Sequence, residues 1–128
     1  MGLGMQVMLM LSMAGCLATI SYAAEGTATF YNHYVPSYCY GNANKGVMIA
    51  AASDAIWNNG AACGRKYRVR CTGATNNGPP PCKGGSVDVT IVDYCPPGCQ
   101  GTIDLSQEAF SLIANPVAGK IKIEYTQL

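Results

Sequence analysis

The sequence is poor in charge and in the side chains that most often bind metals. Charged residues make up 12% of its 128 positions, with eight Lys and Arg against seven Asp and Glu, and His33 is the single histidine. A net charge near zero argues against a nucleic-acid partner, which requires an excess of cations. No two cysteines form a C-x-x-C pair, so zinc ligands are also lacking. We therefore expect no metal and no cofactor, and a lone histidine is more often structural or on the surface.

Residues 1–23 contain no charged side chain and include an apolar run, Val7 to Leu11. They end at Ser21-Tyr22-Ala23, with small residues where signal peptidase cuts. The apolar core is short for a membrane span of about 20 residues. An uncleaved anchor is the alternative, and the lack of Lys and Arg is atypical of a signal peptide. We expect a cleaved signal peptide at 1–23 and one extracellular domain at 24–128, without stable membrane insertion.

Cleavage after residue 23 removes one cysteine and leaves an even set. The six that remain are Cys39, Cys63, Cys71, Cys82, Cys95 and Cys99. An even number in a short secreted chain indicates three disulfides, each worth about 2–4 kcal/mol. Spacing alone does not choose among the possible pairings.

Alternation of apolar and polar residues predicts strands at four places. They lie at 27–31, 66–71, 87–91 and 120–125. Two short helices fit between them, one capped at Ser53 and stopped by Asn58-Asn59-Gly60, the other carrying apolar residues from Leu105 to Ile113. Residues 72–85, rich in proline and glycine, predict a loop. The pattern is typical of a small β-barrel.

Several segments resemble expansins, in order and over nearly all of the chain after residue 23. The segments are 26–31, 50–64, 89–97 and 102–110. The chain lacks the second domain of expansins, and residues 64–71 and 95–99 look closer to their single-domain relatives, the plant natriuretic peptides and the citrus blight-associated proteins. The resemblance implies a mostly β fold, a six-stranded double-psi β-barrel related to family-45 endoglucanases. It also implies the disulfides Cys39–Cys63, Cys71–Cys82 and Cys95–Cys99.

Glycan hydrolysis on such a barrel needs an acid and a base across the scissile bond. The resemblance puts the acid at Asp104, but the opening strand offers no carboxylate near Tyr31, so we expect no hydrolytic activity. Asp104 also has capping-box spacing to Gln107, so a helix cap and a glycan contact are both open. Asp93 has the same parity as Val87 and Ile91 and matches the strand-end position of the catalytic aspartate in similar lytic transglycosylases.

Two groups of residues are candidates for binding. On a strand, Lys66, Arg68 and Arg70 share one face, and with Arg65 they form a basic cluster that suits an acidic receptor or de-esterified pectin; an ordinary solvated sheet face is the alternative. Tyrosines near the first of the six cysteines are able to line a groove or simply pack against the disulfides; they are Tyr31, Tyr34, Tyr38 and Tyr40. Trp57, the only tryptophan, has a context that favours burial.

Three functions remain open. The first is a non-enzymatic apoplastic signalling protein of the natriuretic type, a monomer that affects water and ion balance through a cell-surface receptor. The second is a binder of cell-wall polysaccharide, and the third is a glycan-cleaving enzyme that uses Asp93 or Asp104.

Overall fold

The structure, a computed structural model, describes residues 22–128 and is built on a closed six-stranded β-barrel. The predicted signal peptide, 1–23, lies outside the described residues except for its last two positions. The strands are β1 Ala24–Tyr31, β2 Ile49–Ala52, β3 Lys66–Ala74, β4 Val87–Tyr94, β5 Ile103–Ser106 and β6 Ile121–Gln127. The helices are α1 Asp54–Trp57 and α2 Gln107–Ile113, with 3-10 helices at Asn58–Gly60 and Pro116–Ala118. Between residues 22 and 128, no helix has both the length and the apolar character that crossing a membrane requires.

Around the barrel the strands run in the order β1-β5-β2-β4-β3-β6. β1 pairs with β5 in parallel and β2 with β4 in parallel, while the other four pairings are antiparallel. Inward-facing residues alternate with outward-facing ones, as in the buried Tyr67, Val69 and Cys71 of β3. The four strands predicted from alternation are confirmed by β1, β3, β4 and β6.

Two strands, β2 and β5, were not predicted from alternation. All four residues of β2 are buried, so its sequence, Ile-Ala-Ala-Ala, shows no polar face. β5 was predicted in part as the start of a helix, because Leu105 falls at helical spacing from Ala109. In the structure Leu105 points into the barrel core, and the helix begins at Gln107.

The cap of α2 corrects one reading of Asp104. The N-cap is Ser106, whose side-chain oxygen accepts a hydrogen bond from the Ala109 N–H at 3.1 Å. Asp104 lies two residues earlier, inside β5, so its role as a helix cap is wrong. The capping-box spacing gave a wrong prediction for Asp104 because a strand, not a helix, occupies residues 103–106.

α1 follows β2 directly and delivers the only tryptophan to the edge of the core. Ser53 occupies the N-cap position without making a side-chain cap bond, and Asn58 and Asn59 end the helix in left-handed conformations. Trp57 is 9% exposed, which confirms its predicted burial.

Three disulfides tie loops to the barrel. They join Cys39 to Cys63, Cys71 to Cys82 and Cys95 to Cys99, the pairs that the expansin resemblance implies. The third closes the connection between β4 and β5, the two strands that carry Asp93 and Asp104.

Candidate functional site

Four residues form a row across the outer wall of the barrel, one from each of four adjacent strands. Thr29 of β1 pairs in register with Asp104 of β5, Asp104 with Ala51 of β2, and Ala51 with Asp93 of β4. Residues paired in register share a face of the sheet. The inward neighbours of Asp104, Ile103 and Leu105, fill the core, so this row faces outward. We call these four residues the carboxylate row.

Asp104 is a partly buried carboxylate of the row. Its Oδ1 accepts a hydrogen bond of 2.9 Å from the Thr29 hydroxyl. Partial burial raises the pKa of the Asp104 carboxyl, the Thr29 hydrogen bond lowers it, and the charge of Asp93 raises it further. The net effect is a pKa above the ordinary value. Asp104 is therefore an acid that retains its proton to higher pH than a solvated aspartate.

Asp93 reaches the outer wall because of a register shift. Ala50 pairs with Ile91, but Ala51 pairs with Asp93, so Val92 is an extra residue in β4. Strict alternation from Ile91 would put Asp93 on the core face, but the extra residue reverses the alternation and turns Asp93 outward. A β-bulge is not visible in an alternation pattern.

The Oδ1 atom of Asp93 holds a loop in place through backbone hydrogen bonds. Its Oδ1 accepts backbone N–H bonds from Tyr38 at 3.0 Å and from Tyr94 at 2.9 Å. The Tyr38 bond fixes the segment that crosses outside β4, where the Cys39 N–H also bonds the Val92 carbonyl at 3.0 Å. Asp93 thus uses Oδ1 to position the backbone of Tyr38 and Tyr94. Its other carboxylate oxygen has no hydrogen-bond partner among residues 22–128.

An aromatic cluster lies at the Asp93 end of the row. Trp57 and Tyr94 stack with ring centroids 4.8 Å apart, and Tyr38 meets the Trp57 ring edge-on at 5.2 Å. The Tyr94 hydroxyl donates to Asp54. Tyr38 is 72% exposed, whereas Trp57 is nearly covered.

A second pair of rings lies at the Asp104 end. Tyr31 and Tyr34 meet edge-on at 5.3 Å, the Tyr34 hydroxyl donates to Glu108, and the Gln107 N–H donates to the Tyr34 oxygen at 3.1 Å. Burial raises the pKa of the Tyr31 hydroxyl, and the charges of Asp93 and Asp104 raise it further. That hydroxyl is buried and has no hydrogen-bond partner among the described residues.

The basic cluster lies on the other side of the barrel. β3 is three strands away from β5 in either direction around the ring, so the cluster is opposite Asp104. Arg68 forms two hydrogen bonds with Asp88, at 2.8 and 3.0 Å, and Arg70 bonds Glu124 at 2.6 Å. These exposed cross-strand pairs offset the repulsion among the cations, which favours the solvated-sheet reading of this face.

The structure brings some of the residues predicted from the sequence close together and separates others. The row brings together Asp93 and Asp104, and Tyr31 and Tyr34 lie beside it. Tyr40 is separate, with the Lys45 ammonium 4.2 Å from the centre of its ring. Thr29, Ala51 and Tyr94 were not identified from the sequence, because their importance depends on strand register.

The chain is similar over most or all of its length to two plant proteins. It is 67% identical over 130 residues to an EG45-like domain containing protein of Citrus jambhiri, with 99% of each chain covered. It is 57% identical over 109 residues to the Putative EG45-like domain containing protein 1 of Arabidopsis thaliana, covering 85% of this chain and 87% of the relative. Residues 49–125 also match the family described as Lytic transglycolase.

Among solved structures, the fold is similar to an expansin of Clavibacter michiganensis. The unliganded form matches with a TM-score of 0.65 and 27% identity over 84% of this chain, which spans 50% of the expansin's length. A point mutant of the same expansin, solved in complex with cellohexaose, matches with a TM-score of 0.63 and 28% identity, with the same coverage. The fold, the family match and the sequence identity agree: the chain belongs to the EG45-like domain proteins, relatives of expansins built on a double-psi β-barrel.

Proposed function

We propose that this protein binds a cell-wall polysaccharide along the carboxylate row without cleaving it. The observation that carries the proposal is the row itself, which spans four adjacent strands and holds two carboxylates and a hydroxyl in register, with aromatic rings at both ends. Such a surface combines directional acceptors for sugar hydroxyls with flat apolar faces for sugar rings. The cellohexaose complex of the Clavibacter expansin supports a glycan as the ligand class.

The β1 side of the row supports binding over hydrolysis. On this side the row has only the hydroxyls of Thr29 and Tyr31, the latter buried, and neither is able to act as a base in place of a carboxylate. Asp93 is the other carboxylate of the row and lies two strands from Asp104, on the same face of the barrel wall. However, its Oδ1 already accepts two backbone N–H groups, which favours a positioning role over that of a base.

The charges around the row support an uncharged chain as ligand. Four carboxylates lie along the row and its two aromatic ends, while the Arg68 and Arg70 ion pairs are on the other side of the barrel. De-esterified pectin would meet like charges here, so a neutral β-linked glucan is the expected ligand.

We also place the protein outside the cell. Three disulfides in a domain of this size are typical of secreted proteins. The apoplast is where the proposed ligand occurs.

The test is titration of the protein with cellohexaose in a calorimeter. The wild type should bind cellohexaose and not oligogalacturonate of the same length, and Asp104→Ala should weaken binding by about tenfold or more through loss of a charge-assisted hydrogen bond. Asp88→Ala, which removes an exposed carboxylate on the other side of the barrel, is the matched control and should bind as the wild type does.

A reducing-end assay on the same samples separates binding from cleavage. No new reducing ends or anhydro-sugars are expected after prolonged incubation. Release of products that is lost in Asp93→Asn would support the glycan-cleaving alternative and overturn the non-hydrolytic proposal.

Natriuretic-type signalling remains a second candidate, and the position of the basic cluster favours testing it separately. Lys66, Arg68 and Arg70 are exposed on β3, away from the row, so a receptor and a glycan would engage different walls. The double variant Arg68→Glu, Arg70→Glu reverses two charges on this face. If a receptor binds here, the variant should abolish a protoplast-swelling response, and it should leave cellohexaose binding unchanged. An unaltered swelling response would reject the basic cluster as the receptor contact.

A further inference from the structure

Tyr38 is the most exposed ring near the carboxylate row, and its surroundings hold it in place. It is 72% exposed, so at least one face of its ring is open to solvent. Its edge-on contacts with Trp57, at 5.2 Å, and with Tyr94, at 6.0 Å, limit rotation of the side chain. Its backbone N–H is bonded to Asp93. An exposed aromatic ring held by its neighbours is a characteristic of binding surfaces, because little conformational entropy is lost when a ligand stacks on it.

The Tyr38 ring lies beside one end of the carboxylate row. Asp93, the last carboxylate of the row, is directly bonded to the Tyr38 backbone, so the ring lies next to the Asp93 end. A chain bound along the row therefore reaches Tyr38 as it leaves Asp93. At the Asp104 end, by contrast, Tyr34 is engaged by Glu108 and Gln107, and Tyr31 is partly buried.

We infer that Tyr38 forms a separate stacking subsite for one pyranose ring of a neutral β-linked glycan, beyond the carboxylate pair. This inference rests on the proposed binding along the row and specifies how far the bound chain extends. Sugar rings with equatorial substituents present flat C–H faces, and stacking of such a face on an aromatic ring combines apolar burial with the attraction of C–H groups to the ring. Stacking uses the face of the ring, so the inference assigns the subsite to the ring and not to the hydroxyl.

Three substitutions at this position separate stacking from other effects. Tyr38→Phe keeps the ring, Tyr38→Leu keeps an apolar side chain without a flat face, and Tyr38→Ala removes both. All three retain the backbone N–H that bonds Asp93, so the row itself stays intact. Val117→Ala, at a 91% exposed apolar residue in the 3-10 helix Pro116–Ala118, controls for the loss of exposed apolar surface elsewhere.

The experiment is calorimetric titration of each variant with cellohexaose, with thermal unfolding as the check on folding. Tyr38→Ala and Tyr38→Leu should each raise the Kd by about 3- to 10-fold, while Tyr38→Phe and Val117→Ala should match the wild type. Trp57 provides a second readout: as the only tryptophan, in contact with Tyr38, its fluorescence should change on saturation with cellohexaose, and this change should be diminished in Tyr38→Ala.

The outcomes distinguish this inference from the proposed function. If the wild type binds cellohexaose and Tyr38→Ala binds it equally well, the subsite is wrong and the row remains the binding site. If Tyr38→Leu matches the wild type, the side chain contributes only apolar area and stacking is wrong. If the wild type does not bind cellohexaose at all, both proposals fail.

Discussion

Asp93 and Asp104 lie on either side of Ala51 in the barrel wall, each paired in register with it. The small side chain of Ala51 separates the two carboxylates without bridging them, so the charge of one acts on the other. This coupling is the basis of the first prediction.

The pKa of Asp104 should respond in opposite directions to changes at its two neighbours. Asp93→Asn removes a negative charge and should lower the pKa of Asp104, whereas Thr29→Val removes the hydrogen bond to the charged form and should raise it. The measurement is the carboxyl carbon chemical shift of Asp104 as a function of pH. Shifts in the same direction would contradict the row geometry.

Replacing Asp104 by asparagine should stabilise the protein at neutral pH. Burial raises the pKa of Asp104, so the folded state binds the proton more tightly than the unfolded state does. The carboxylate therefore opposes folding above its folded-state pKa, and this penalty disappears as the pH falls below the unfolded value of about 4. Asp104→Asn retains an oxygen that accepts from Thr29, so it should be more stable than the wild type at pH 7 and equal to it at pH 3.

Denaturant midpoints at both pH values provide the measurement. A wild type that is more stable than Asp104→Asn at pH 7 would show that hydrogen bonding outweighs burial at this carboxyl.

Ser106 should matter to stability where the matching serine of α1 does not. The Ser106 hydroxyl is buried, accepts from the Ala109 N–H and donates to the Val47 carbonyl, so Ser106→Ala removes a helix cap and a buried hydrogen bond together. We expect a loss of about 1–3 kcal/mol in the free energy of unfolding, measured with urea. Ser53→Ala is the control, because Ser53 holds the N-cap position without a side-chain cap bond and its replacement should cost little. Equal losses for the two would contradict this assignment.

The three disulfides should contribute unequally. Cys39–Cys63 spans 24 residues, Cys71–Cys82 spans 11 and Cys95–Cys99 spans 4. Chain-entropy arguments then give roughly 3.5, 3 and 2 kcal/mol for their loss on double replacement by serine. Thermal unfolding of the three double variants should follow that order, and a larger loss from Cys95–Cys99 than from Cys39–Cys63 would show that native contacts outweigh loop length.

Much of the barrel was predictable because burial imposes a period of two on a half-buried strand. β1, β3, β4 and β6 have one covered and one open face, and their residues alternate accordingly. β2 could not be predicted, because all four of its residues are buried and the sequence shows no alternation. β5 was read as helix because four residues are too few to establish either period.

The sequence by itself determined the family, through segments that span the whole domain, and the type of each candidate side chain, including the lack of a carboxylate near Tyr31 in the opening strand. Only the tertiary structure decided which of those side chains meet. A bulge at Val92 turned Asp93 outward, and strand register aligned it with Asp104. Closure of the barrel put the basic strand on the opposite side. Register, bulges and closure depend on pairing between residues far apart in the chain, and no local pattern of residues encodes that pairing.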